Sequence, residues 1–148
     1  MSDKKVVPFV IDLHHALRAG KHYDLRIQYP YRNQLCSFAI PKHRIPTVAG
    51  EKVLAIRTTD HSRVWLYFSG DIDDGYGKGK IEIIQKGYLE ILSWSEKRIV
   101  FKVIKGNNPK LLDGYFLLFK FPIQKYANRD VTWNLMKIDE SKLDKYIY

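Results

Sequence analysis

The chain has 148 residues, of which 45% are hydrophobic and 28% are charged, a composition that excludes a disordered chain and fits one globular domain over residues 1–148. Its formal net charge of +9 indicates a polyanionic partner: nucleic acid, an acidic membrane surface or an acidic protein. No apolar run is long enough to span a membrane, the first residues lack a signal peptide's apolar stretch, and the single cysteine, Cys36, excludes an internal disulfide or a thiolate metal cluster. These features favour a reducing, cytoplasmic location, in association with the nucleoid, and no membrane partner.

The dominant hydrophobic period is two, and short β-prone runs alternate with turn residues, as is typical of an all-β sandwich or barrel. In chain order, strands are predicted at Pro8–Leu13, His22–Tyr29, Gln34–Ile40, Val53–Thr58, Val64–Phe68, Lys80–Gln85, Tyr88–Trp94, Arg98–Lys105, Gly114–Lys120 and Thr132–Ile138. Turns are predicted at Pro30–Asn33, Asp73–Gly79, Lys86–Gly87, Ser95–Lys97 and Gly106–Pro109. Only Asp139–Tyr148 and, with a weaker pattern, Ala16–Lys21 favour a short helix. We therefore expect one compact, mostly antiparallel β-barrel, because closing the sheet removes its exposed edges.

The predicted strand His22–Tyr29 has two chemically different faces. Alternate side chains of a strand point to opposite sides, so its tyrosines, leucine and isoleucine share one apolar face that suits the core. The other face carries His22, Asp24, Arg26 and Gln28. An imidazole, a carboxylate and a guanidinium thus follow one another at intervals of about 7 Å, twice the rise per residue. An exposed strand face can also show this pattern without any function.

His22 and Asp24 can bind one metal ion together. A mixed set of nitrogen and oxygen ligands suits Mn²⁺, Fe²⁺ or Zn²⁺ better than Ca²⁺ or Mg²⁺. A third ligand should come from His14 or His15, which lie just past the end of the first predicted strand. If the two strands pair, either histidine completes the set, and Arg26 can take phosphate oxygens in a bidentate fork.

Ordered matches along the chain resemble one known family, the 3′-phosphoesterase domain of bacterial DNA ligase D and its free-standing archaeal relatives. The segments that carry the resemblance are Phe9–Ile11, His14–Ala16, His22–Arg26, Ser37–Lys42, Leu54–Ile56, Asp60–His61, Phe68–Gly70, Ile72–Gly79 and Trp133–Lys137. They span nearly the whole chain, which is far more specific than any one motif.

The resemblance implies a β-barrel of the eight-stranded type with a manganese site in a groove on its outer surface, where Zn²⁺ or Co²⁺ could replace Mn²⁺. It implies removal of a 3′-terminal ribonucleoside, and then of the exposed 3′-phosphate, from the primer strand of a primer–template. Transferred to this sequence, the metal ligands are His14, His22 and Asp24. Arg26 and His61 match the phosphate-contacting pair, and Lys42 matches a basic residue that borders the site. We expect a monomer that works with a DNA ligase or polymerase.

The chain departs from the family pattern in three ways. The family spaces its two ligand histidines six residues apart, whereas His14 and His22 are eight apart, which predicts a longer surface loop. Trp65 replaces a functional tyrosine, so the role of that hydroxyl is lost or moved to Tyr67. Three further residues differ from those common in the family near the metal: Asp12, Thr59 and Val53, the last with Lys52 beside it.

Two other functions fit parts of the same pattern. His22, Asp24 and a distal His61 imitate the facial triad of a non-haem iron oxygenase. Alternatively, a basic barrel rich in aromatic residues could bind nucleic acid without catalysis. For the phosphoesterase, direct attack by water is expected, because Cys36 lies in the middle of a strand and no other covalent nucleophile stands out.

Overall fold

The computed structural model describes residues 5–75, 77–121 and 131–147. Within these ranges the chain forms nine strands and two short 3₁₀ helices, here called η1 (Arg63–Leu66) and η2 (Glu140–Lys145). The strands are β1 (Lys5–Ala16), β2 (Gly20–Gln28), β3 (Leu35–Ile40), β4 (Lys52–His61), β5 (Gly70–Ile72), β6 (Gly79–Trp94), β7 (Arg98–Gly106), β8 (Tyr115–Lys120) and β9 (Thr132–Ile138). Among the described residues, no helix has the length and apolar character needed to cross a membrane.

Eight of the strands close into an antiparallel β-barrel, as the sequence predicts. The order around the barrel is β1-β2-β3-β4-β9-β8-β7-β6, and the pairing of β6 with β1 completes the circle. The short strand β5 lies outside this circle and pairs only with the first residues of β6. Closure leaves few unpaired backbone groups at sheet edges, which protects the barrel from pairing with other chains.

Alternating side chains of the strands fill the barrel interior with a single apolar core. Its large members include Phe9, Leu25, Phe38, Phe101, Phe116 and Trp133. The rings of Phe38 and Trp133 meet edge to face with centroids 5.3 Å apart. A second, smaller cluster lies on the outer face of the barrel, where Leu66 of η1 packs with Val10 and Leu35. This outer cluster attaches η1 to the barrel wall.

Two predicted elements are wrong because packing overrides local preference. Val64–Phe68 is not a strand: its first three residues belong to η1 and Tyr67 is the C-terminal cap, since Leu66 becomes buried by packing on Val10 of β1. Ala16–Lys21 is not a helix either: Ala16 pairs with Gly20 across a three-residue turn, which makes a β-hairpin of β1 and β2. By contrast, the short helix predicted near the end of the chain exists as η2, where the Asp139 side chain accepts a hydrogen bond from the Ser141 backbone amide.

The predicted turn at Lys86–Gly87 is also wrong, because β6 runs without interruption from Gly79 to Trp94. Glycine is needed at position 87 for a different reason. A Cβ atom there would overlap the backbone carbonyl of Lys105 on β7, so only glycine permits the observed strand approach. The residues on both sides of Gly87 therefore belong to one long strand, which pairs with β1 along one edge and with β7 along the other.

Replacing Gly87 with alanine should destabilise the barrel by about 1–3 kcal/mol, because the added methyl group forces β6 and β7 apart. The free energy of unfolding, measured by urea denaturation, checks this expectation. Glu82→Ala is the matched control, since Glu82 is an exposed residue of the same strand. Equal stability of the two variants would contradict the continuous strand.

Candidate metal centre

The antiparallel register of β1 and β2 builds the centre. His14 lies directly opposite His22, and Asp12 lies directly opposite Asp24, all on the outer face of the barrel. The expectation that His14 and His15 lie past the end of the first strand is wrong, since both belong to β1. Because side chains alternate along a strand, His14 shares a face with Asp12 while His15 points to the opposite side. The structure thus brings His14, and not His15, to His22 and Asp24.

The Asp24 carboxylate bridges the two imidazoles. Its Oδ2 atom is 3.1 Å from Nδ1 of His14, and its Oδ1 atom is 3.2 Å from Nε2 of His22. One ligand atom from each of the three residues lies within 4.8 Å of the other two. Ligands about 2.1 Å from a transition metal ion are separated from one another by about 3–3.5 Å, so the group could hold a metal ion.

Backbone carbonyls orient both imidazoles toward the carboxylate. Nε2 of His14 donates to the carbonyl oxygen of Gly77 at 2.7 Å, and Nδ1 of His22 donates to that of Gly20 at 3.2 Å. These hydrogen bonds leave the lone pair of each neutral ring pointing at a carboxylate oxygen. Lone pairs facing lone pairs repel unless a cation lies between them. At His22 a proton on the ring also relieves this repulsion, and the hydrogen bond to Asp24 accordingly raises the pKa of His22.

Arg26 lies beneath the centre and is held by two carboxylates. Its guanidinium forms a salt bridge with Asp12, and its Nη2 atom lies 3.5 Å from Oδ2 of Asp24. All three side chains are buried. Burial raises the pKa of Asp12 to about 7, although the charge of Arg26 opposes this rise. Burial also acts to raise the pKa of Asp24. The contacts of this carboxylate with His14 and His22 and the charge of Arg26 outweigh burial, and they hold the pKa of Asp24 below the usual range.

The centre opens into a cleft of about 550 Å³ on the outside of the barrel. His14, His22, Asp24, Arg26 and His61 all line it. One wall comes from η1, where the indole ring of Trp65 lies 5.1 Å from the Arg26 guanidinium carbon and 5.4 Å from the His61 ring. This large, accessible and chemically rich cavity has the properties of a ligand site.

His61 ends β4 at the edge of the cleft. Its Nδ1 atom is buried and has no hydrogen-bond partner among the described residues. Burial, together with the charge of Arg26, lowers the pKa of His61, which favours the neutral form of the imidazole. An unsatisfied buried nitrogen is costly and is typical of a site that completes its hydrogen bonds with a ligand.

Three other residues that the sequence analysis connects with the site, Lys42, Tyr67 and Val53, do not line the cleft. Lys42 is exposed in the turn after β3 and does not line the cleft, although its neighbour Pro41 does. Tyr67 cannot supply the missing hydroxyl, because it faces a different cleft on the other side of η1. Val53 is part of the barrel core and far along β4 from His61, which removes it from the metal site.

Sequence reasoning missed three contributions to the centre. The role of Asp12 as the partner of Arg26 has a visible signal, because Asp12-x-His14 on β1 is the reverse of His22-x-Asp24 on β2. The carbonyl of Gly77 and the wall formed by Trp65 have none. Gly77 lies in a loop and Trp65 in η1, and the positions of both segments depend on tertiary packing.

The fold and the cleft define a class of protein: a small antiparallel barrel with a candidate transition-metal centre beside basic groups on its outer wall. The family of the DNA ligase D 3′-phosphoesterase domain matches residues 12–129, and the chain belongs to this family. Membership indicates a phosphoesterase role in the processing of ends. A comparison with curated proteins finds no match.

The centre predicts which substitutions weaken metal binding. His14→Ala, His22→Ala and Asp24→Asn should each lower the affinity for Mn²⁺ at least tenfold, because each removes a ligand from a set of three. Isothermal titration calorimetry measures the affinity. His15→Ala is the matched control, since His15 is adjacent in sequence but faces away. A similar loss in the control would show that the ion binds elsewhere.

Proposed function

We propose that this protein is a manganese-dependent phosphoesterase that heals the 3′ ends of nucleic acid strands in DNA repair. It removes a 3′-phosphate, a 3′-terminal ribonucleoside, or both, from the primer strand of a primer–template. The observation that carries this proposal is the set of His14, His22 and Asp24, whose lone pairs converge beside Arg26 and His61 in one open cleft. Membership of the 3′-phosphoesterase family supports the reaction class.

The donor set fits a transition metal ion such as Mn²⁺, with Zn²⁺ or Co²⁺ as substitutes. When bound, the ion supplies positive charge for a phosphate oxygen and lowers the pKa of a water molecule. The chain itself holds the three ligands in place. The carbonyls of Gly77 and Gly20 fix the imidazole tautomers, and Arg26 holds the Asp24 carboxylate.

Arg26 and His61 are proposed to contact the substrate phosphate. The guanidinium of Arg26 already contacts two carboxylates, so it approaches a phosphate through the N–H groups that these contacts leave free. The lowered pKa of His61 favours the neutral imidazole, which still has one N–H group to donate to a phosphate or leaving-group oxygen. A bound phosphate dianion would favour the protonated ring.

Water is the proposed nucleophile. Cys36 is fully buried, and burial raises the pKa of its thiol to about 11, which leaves it unreactive at neutral pH. Lys42 stands at the rim beside Pro41 and is proposed to steer the nucleic acid strand rather than to contact the reacting bond.

The oxygenase interpretation relies on His61 as its second histidine; because two histidines and one carboxylate are ligand types that both functions use, it is family membership that favours the phosphoesterase. The third residue that joins His22 and Asp24 is His14, from the neighbouring strand, and His61 is not part of the ligand group found among the described residues. For the phosphoesterase, we propose a monomeric cytoplasmic protein that acts with a DNA ligase or polymerase, since its products are ends that such enzymes extend or seal.

A primer–template ending in a 3′-phosphate and a second one ending in a single ribonucleotide test the function directly. Each is incubated with the protein, with and without Mn²⁺, and the products are separated on a denaturing gel. We expect metal-dependent shortening or dephosphorylation, and its loss in His22→Ala but not in His15→Ala. Binding without any change at either end would instead identify a nucleic-acid-binding barrel.

Two further variants separate chemistry from steering. His61→Ala should lower kcat about 10²–10⁴-fold, the usual contribution of a positioned proton donor or acceptor. Lys42→Ala should leave kcat nearly unchanged but raise KM and reduce its dependence on salt, because Lys42 supplies only charge. Steady-state kinetics at two salt concentrations measure both effects, and an unchanged kcat in His61→Ala would remove that residue from the mechanism.

A further inference from the structure

A second cleft of about 330 Å³ lies on the outer wall of the barrel, on the other side of η1 from the metal centre. The two clefts share η1 as a common wall: Trp65 lines the first, and Leu66 and Tyr67 line the second. They also share β1, which contributes His14 to the first cleft and Pro8 to the second. Six residues of strand separate these positions, which corresponds to about 20 Å.

Two tyrosines form the aromatic part of the second cleft. Tyr67 is 69% exposed and Tyr88 is 46% exposed, unusually high values for such large rings. In the described part of the chain, neither ring makes an aromatic contact or a side-chain hydrogen bond. Exposed rings that line a concavity have open faces on which a planar ligand can stack.

Two lysines make the same cleft basic. Lys105 pairs directly with Tyr88 across β7 and β6, and Lys86 lies two residues before Tyr88 on β6, so all three side chains share the outer face. Lys86 is fixed by two hydrogen bonds between its backbone and Asn107. None of the described residues that line this cleft is acidic.

The base of the cleft contains two paired glycines. Gly87 and Gly106 pair directly across β6 and β7, and both line the cavity. A Cβ atom at Gly87 would overlap the Lys105 carbonyl, so glycine is required for the close approach of the two strands here. This part of the cleft is therefore formed by backbone and does not depend on the rotamer of a side chain.

We propose that the protein also accepts unpaired 3′ ends, and that the second cleft binds the upstream nucleotides of such a single strand while its 3′ end occupies the metal centre. Their bases stack on Tyr67 and Tyr88, and Lys86 and Lys105 contact the adjacent phosphates. Alternating aromatic and basic side chains are what non-sequence-specific binding of single strands requires, because every base has a stacking face and every linkage a charge. The inference rests on the nucleic acid substrate of the proposed function and extends its footprint beyond the reacting end.

The separation of the clefts sets the length of strand that can reach both. With stacked bases spaced 3.4 Å apart, 20 Å corresponds to about six nucleotides, and to fewer if the strand is extended. A trinucleotide bound at the metal centre therefore ends near η1, whereas a 12-mer continues into the second cleft. This difference separates the second cleft from any general effect of charge.

The test uses fluorescence anisotropy with a single-stranded 12-mer and a trinucleotide, both carrying a 3′-phosphate, in the presence of a chelator so that no ester is cleaved. The double variant Tyr67→Ala/Tyr88→Ala should bind the 12-mer at least about fivefold more weakly than the wild type, with no change for the trinucleotide. Lys86→Ala should reduce the slope of log affinity against log salt by about 0.7. Tyr31→Ala and Lys97→Ala are matched exposed controls remote from the cleft.

Abasic linkers locate the stacked bases. Placed roughly five to seven nucleotides from the 3′ end, they should weaken binding to the wild type but not to the double tyrosine variant. Unchanged binding of the 12-mer by the double variant would overturn the inference. Equal losses of affinity for the 12-mer and the trinucleotide would overturn it as well, since they would show an indirect effect through η1. A loss of affinity in Lys86→Ala alone would overturn base stacking and leave only phosphate contacts in the cleft.

A failure of this inference is distinct from a failure of the proposed function. Binding in the chelator does not need turnover, so the second cleft is tested even if no end is processed. If the wild type processes 3′ ends while the tyrosine variants bind the 12-mer normally, the proposed function stands and the second cleft has no part in it. If the wild type binds neither oligonucleotide, the inference is wrong, and the proposed function is judged separately by turnover of the primer–template with Mn²⁺.

Discussion

The Asp24 carboxylate is the group on which the site depends. It is buried, yet two imidazoles and a guanidinium surround it closely enough to hold its pKa below the usual range. A buried charge is tolerated only when it is paired and hydrogen-bonded, so these partners both stabilise Asp24 and are positioned by it. Loss of any one of them would leave the others poorly compensated. The same network that keeps the carboxylate ionised also keeps it ready to bind a metal ion.

Core residues and residues of the candidate site occupy opposite faces of the same strands. On β2, Leu25 and Ile27 fill the barrel interior, while Asp24 and Arg26 build the site outside it. Trp65 of η1 forms one wall over these outward polar groups, and η1 is held by the packing of Leu66 on the barrel wall. A short segment of irregular structure thus converts a strand surface into a cleft. It also separates that cleft from the aromatic and basic one beside it.

Much of this arrangement follows from local rules. Period-two alternation predicts the barrel and separates the core face of β2 from its polar face, and an imidazole with a carboxylate two residues away predicts the metal ligands. Alternation also decides between His14 and His15 once β1 is known to extend to Ala16. That extension was not predictable, because the strand continues only through its pairing with both β2 and β6.

The features that could not be predicted depend on contacts between distant segments. Val64–Phe68 has the composition of a strand but folds as η1, because one buried leucine outweighs the preference of its neighbours. Gly87 has the signature of a turn but serves the close approach of two strands. In both cases the structural role of the residue depends on a distant contact: Leu66 packs on the barrel wall, and Gly87 lies against the Lys105 carbonyl. Neither contact can be inferred from the neighbouring sequence.

The hairpin between His14 and His22 limits how the length of this segment can vary if the two side chains are to stay together. A shift of one residue along a paired strand moves each side chain to the opposite face. Adding one residue to β1 or β2 alone would therefore turn His14 or His22 toward the barrel core. An insertion that adds one residue to each arm preserves the pairing of His14 with His22. Changes of loop length here are therefore expected to come in even numbers, and a relative whose histidines are separated by an odd count would need a bulge to restore its site.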